Sequence, residues 1–70
     1  MRLRLGVFAV AEGWVVATQA QMERFATRAE AMRAATRRAG VARWRGADVE
    51  ILAQDAPGGA LAVAREPNPR

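Results

Sequence analysis

The sequence predicts an α+β domain in which a four-stranded antiparallel sheet, with element order β-β-α-β-β, carries one helix on one face. Three observations predict it. Two strand-like runs near the start flank Glu12 and Gly13, a helical run lies between a capping signal at Thr27 and Gly40, and two further alternating runs enclose QDAPGG. Seventy residues form one domain over 1–65, and EPNPR, with two prolines, predicts a disordered tail over 66–70.

The first pair of runs is LRLGVFAV, alternating weakly, and WVVAT, which is β-branched and aromatic. With Ala11 facing Trp14 across a two-residue turn, Leu3, Leu5, Val7, Ala9, Trp14, Val16 and Thr18 share one face, because side chains alternate along a strand. That face is the expected core, and Trp14 packs within it. The opposite face carries Arg2, Arg4, Gly6, Phe8, Val10, Val15 and Ala17, charged at one end and apolar near the turn.

Thr27 followed by Glu30 has the spacing of a capping box, in which hydroxyl and carboxylate each satisfy an amide of the first helical turn. The helix therefore starts near Arg28. Gly40 fits the left-handed residue beyond a helix end, which stops the helix near Ala39. At about 100° per residue, Ala31, Ala35, Ala39 and Met32 fall on one side, with Ala29 and Thr36 at its margin and Glu30, Arg33 and Arg37 opposite. After a loop, VARWRG, come strands over Asp48–Ala53 and Ala60–Arg65. Val49 and Ile51 fall on one side of the first, Leu61 and Val63 on one side of the second, and Asp, Pro and two Gly make the intervening turn.

The order of GWVV, TRAEAMRAA and VEILAQDAPGGAL resembles a small bacterial family, domain-of-unknown-function family 2188, whose members pair a Gly-Trp strand with a Thr-basic-x-Glu-Ala helix and a hairpin. The likeness spans residues 5–64. It implies a strand-strand-helix-strand-strand fold and transfers no catalytic residue, since the family carries no established activity.

Composition narrows the chemistry. A chain this short buries only about 60% of the surface its unfolded form exposes. Without cysteine or histidine it has neither disulfides nor the usual structural zinc sites, and oligomerisation is the staple that remains. Ser, Lys and Tyr are absent too, so the ordinary nucleophiles and tunable bases are missing, and no phosphate-cradling glycine loop is present. The expectation is a non-enzymatic protein with no cofactor, no metal and no small-molecule substrate; Asp48 and Glu50, on one strand face, read as solvated polarity. No apolar run approaches the ~20 residues of a membrane span, and MRLRLG alternates, which predicts a cytoplasmic protein without membrane contact.

Two binding surfaces follow. One helix covers one sheet face, so Phe8, Val10, Val15, Ala17, Leu52 and Ala62 form an apolar patch on the other, which predicts association with a second copy or another protein. The net charge of +4, carried by arginine alone, offers a second surface made of Arg33, Arg37, Arg38, Arg43, Trp44 and Arg45. Arg37 and Arg38 equally suit a helix end, where cations meet the partial negative charge of free carbonyls. Trp44 either stacks a base between two guanidinium groups, giving weak and sequence-indifferent nucleic-acid binding, or folds over an edge of the core.

Overall fold

Strand β1 (Arg2–Val10) and strand β2 (Gly13–Ala17) form an antiparallel hairpin in the computed structural model, which describes residues 2–64. Ala9 faces Trp14 and Val10 faces Gly13, so Ala11 and Glu12 make the turn and β2 slides two residues from the expected pairing. A slip of one would have exchanged the faces; a slip of two leaves them in place. Leu5, Val7 and Val16 are accordingly fully buried, as the alternation requires. Gly13 opens β2 at a φ of +148°, and a Cβ there would lie 2.5 Å from the carbonyl oxygen of Phe25. Backbone approach, more than turn geometry, selects glycine at that position.

A strand absent from the expected order comes next. Strand β3 (Met22–Phe25) pairs antiparallel with β2, placing Phe25 beside Trp14 and Met22 beside Ala17. The turn between them is closed by Thr18, whose hydroxyl oxygen accepts from the amides of Ala20 at 3.2 Å and Gln21 at 3.1 Å. Thr18 thus serves a turn, half-buried just past the end of β2.

Helix α1 (Arg28–Trp44) begins where the capping signal places it. The Thr27 hydroxyl oxygen accepts from the Glu30 amide at 3.2 Å, while the Glu30 carboxylate lies 3.2 Å from that hydroxyl and takes its proton instead of a second amide. Its end differs from the expectation. The helix runs through Gly40 and closes at Gly46, which has a φ of +90°. The Gly46 amide donates to Arg43 O and the Ala47 amide to Ala42 O, the paired bonds of a Schellman motif. Gly40 is helical because the inward face, with buried Ala39 before it and half-buried Ala42 after it, runs on past it. Arg37 and Arg38 therefore lie within the helix, and Arg43 and Trp44 are helical residues of the last turn.

Strand β4 (Asp48–Ala53) then enters beside β1, parallel to it, and the short strand β5 (Ala62–Val63) pairs antiparallel with β4. The sheet is five-stranded and mixed, in the order β3-β2-β1-β4-β5, in place of four antiparallel strands. The extra strand is the physical cause. After two strands the helix would run back along β1 and the next strand would oppose it, whereas a third strand reverses the chain once more and returns β4 parallel to β1. The single helix on one sheet face, and the α+β class, are as expected.

The core lies between α1 and the sheet. Leu5, Val7, Val16 and Ile51 meet Ala31, Ala34, Ala35 and Ala39, flanked by half-buried Trp14, Phe25 and Met32. Inward residues of the helix are mostly alanine, so little side chain separates helix from sheet. Ala34 joins the face at the expense of Met32, while Ala29 and Thr36 are exposed.

Gln54, immediately after β4, ties three parts together. Its amide donates to Val7 O at 2.9 Å, and its main-chain carbonyl accepts from Arg28 Nε at 2.8 Å. With that carbonyl engaged, its side-chain Oε1 accepts from the Ala9 amide at 2.8 Å and Nε2 donates to Gly59 O at 2.7 Å. A side chain thus continues the ladder after the strand has ended. Residues 66–70, expected as a tail, lie outside the described residues.

Candidate functional site

The outer sheet face, opposite α1, is built by strand alternation. Register pairs place Phe8 beside Val15, Gly6 beside Ala17 and Leu52, and Leu52 beside Val63. Phe8, Val10, Val15, Ala17 and Leu52 therefore share this face as expected. Ala62 does not: it pairs with Ala53, whose side chain is buried toward the helix. Val63, at 60% exposure, takes its place, so Leu61 and Val63 do not line the core. The two-residue strand fixes this parity by where it docks on β4, and the loop before it leaves that docking open to sequence reading. Met22 joins the patch from β3 at 68% exposure. Val15 is only 4% exposed, covered by its neighbours, and acts as floor.

Two registers below the apolar rows, the same face becomes ionic. Arg2 pairs in register with Asp48 and Arg4 with Glu50, where Arg4 Nε lies 3.5 Å from Glu50 Oε1. Opposite charges thus stand side by side on β1 and β4. Two further carboxylates are met by arginines, Glu23 by Arg38 and Asp55 by Arg28 at 3.5 Å.

The cationic residues divide. Arg33 and Arg37 lie on the solvent side of α1, and Trp44 falls in the same stripe, seven residues after Arg37. Trp44 is 90% exposed and does not fold over the core. Arg43 turns to the sheet, where its Nη2 donates to Val49 O at 3.2 Å. Arg38 and Arg45, together with Arg37 at the edge of that stripe, line a groove of about 580 Å³ with Leu3, Val41, Ala42 and Ala47. Sequence reading missed this groove, because its floor joins the first strand to a helical turn that lies beyond Gly40, where the sequence predicts the helix to stop.

No family model, no curated protein and no solved structure matches the chain. Among the described residues, no helix is long and apolar enough to cross a membrane.

Proposed function

We propose that the protein is a non-enzymatic self-association module, acting in the cytoplasm as a two-fold homodimer joined through the outer faces of its sheets. One observation carries this reading. Along one row of the face stand Ala17, Gly6, Leu52 and Val63, two small residues followed by two large ones.

A two-fold axis between facing sheets, running along the strands midway between β1 and β4, exchanges the halves of that row. Leu52 of each protomer then stands over its partner's Gly6, and Val63 over the partner's Ala17. The same axis sets Arg4 against Glu50 and Arg2 against Asp48 across a gap of about 10 Å, which their combined side chains span. Glycine inside a strand weakens it and often marks close approach by another surface; the Phe8 ring stands 3.8 Å from where a Gly6 Cβ would be, so it forms one wall of the socket that the missing side chain leaves.

The test uses Arg4→Glu and Glu50→Arg, the first at an exposed and the second at a half-buried position. Each variant alone opposes like charges across the axis and is expected to be monomeric by sedimentation. Mixed in equal amounts, they form a heterodimer in which every interprotomer pair is restored while every intrachain pair stays broken. A mixture that remains monomeric, or wild type that is monomeric at high concentration, overturns the reading.

The exposure of Trp44 on the same helix stripe as Arg33 and Arg37 favours a second reading, a weak and sequence-indifferent site for single-stranded nucleic acid. Base stacking there makes Trp44→Ala weaken oligonucleotide binding by about 1 to 3 kcal/mol. Unchanged affinity in a salt titration removes that reading.

A further inference from the structure

We propose that the groove between the C-terminal half of α1 and the start of β1 binds a single-chain amphipathic carboxylate, with its chain on Leu3, Val41, Ala42 and Ala47 and its head at Arg37 and Arg45. This inference is independent of the dimer, because the groove opens on the helix side of the sheet. Leu3 alternates with the outer-face residues Arg2 and Arg4 and packs against the core side.

The lining decides the ligand class. A volume of about 580 Å³ lies in the range of small-molecule sites, about 300 to 1,000 Å³, and far exceeds what a bare anion fills. Its floor is aliphatic, and Val41 remains 54% exposed. Among the lining residues, only the arginines carry polar side chains. Arg38 is engaged by Glu23, whereas Arg37 and Arg45 meet no carboxylate among the described residues. A guanidinium presents parallel N–H groups that match the two oxygens of a carboxylate, and the apolar floor favours a chain behind it.

The nearby helix end does not oppose the anion as an open one would. The carbonyls of Val41, Ala42 and Arg43 accept from the amides of Arg45, Gly46 and Ala47, so the last turn presents few unsatisfied acceptors there. The Schellman closure that follows Trp44 also brings Ala47 back against the groove, so the helix end and the site are one construction.

The probe is decanoate, titrated below its micelle concentration and followed by amide chemical shifts, with decanol and acetate as separate arms. Saturable decanoate binding is expected, with shifts centred on Leu3, Val41, Ala42 and Ala47. Decanol, lacking charge, and acetate, lacking a chain, should each bind at least about tenfold more weakly, the equivalent of 1.4 kcal/mol or more. Arg37→Ala with Arg45→Ala, and separately Val41→Asp, should each weaken decanoate about tenfold or more while the circular dichroism stays native.

Phe8→Glu, which addresses the dimer, should leave decanoate affinity unchanged. Acetate equal to decanoate would mean an adventitious anion only, and decanol equal to decanoate would mean unselective apolar adsorption. Either result overturns the proposal, as would shifts centred on Phe8, Val10 and Leu52 or full affinity in the arginine double variant.

Discussion

Gly13 and Gly40 are the same residue type under opposite constraints. At Gly13 the backbone adopts a φ of +148°, and the Phe25 carbonyl leaves no room for a Cβ. At Gly40 the backbone is helical, the position is exposed, and nothing lies within 4 Å of where a Cβ would be. Gly40→Ala should therefore stabilise the domain by about 0.5 to 1 kcal/mol, by helix propensity and a less free unfolded chain. Gly13→Ala should destabilise it by more than about 1 kcal/mol, since both conformation and contact are incompatible. Urea melts of the two variants measure the contrast, and shifts of the same sign would refute it. Both positions read as punctuation in the sequence. Only the placement of Phe25, twelve residues after Gly13, separates a required glycine from a tolerated one.

At the scale of elements, α1 and β4 show how an end is made. Thr27 starts the helix by a local hydrogen bond three residues long, and that start was legible. The helix stop was not, because Gly40 and Gly46 both satisfy the local rule and inward packing by Ala39 and Ala42 carries the helix past the first. Similarly, MERF is only four residues long and sets its two charges side by side, with no alternation, so it reads as connection until β2 is present to pair with it. The junction of β1 with β4 depends on Gln54. Gln54→Ala removes two side-chain hydrogen bonds and leaves the half-buried Ala9 amide without its acceptor, for an expected loss of about 1 to 3 kcal/mol. Hydrogen exchange checks the mechanism locally: the Ala9 amide should lose protection in the variant, and retained protection would show that another acceptor replaces Gln54.

For the whole molecule, the question is what the outer face does with Phe8, Val10, Leu52, Met22 and Val63. A soluble chain seldom leaves a contiguous apolar patch bare, and a core largely of alanine on its helix side leaves stability to be found elsewhere. In the proposed dimer, folding and association are linked, so the melting temperature of wild type should rise with protein concentration. Phe8→Glu introduces a charge into the apolar part of that face and should abolish both the dimer and this concentration dependence, with the helical circular dichroism retained at low temperature. Concentration-independent melting of wild type would argue against the interface.

Local order along the chain determined the helix start, the faces of β1 and β2, and the fold class, because capping and alternation act between residues a few positions apart. Phe8, Val10 and Leu52 could be assigned together for that reason, and a two-residue slip of the hairpin did not disturb them. The tertiary structure alone decided that β4 runs parallel to β1, that Val63 and not Ala62 faces outward, and that Leu3 meets Val41 and Ala47 across a groove rimmed by arginine. Each of these depends on how many times the chain reverses and on which neighbour a short strand finds. Those are properties of contacts between distant residues, and no local period records them.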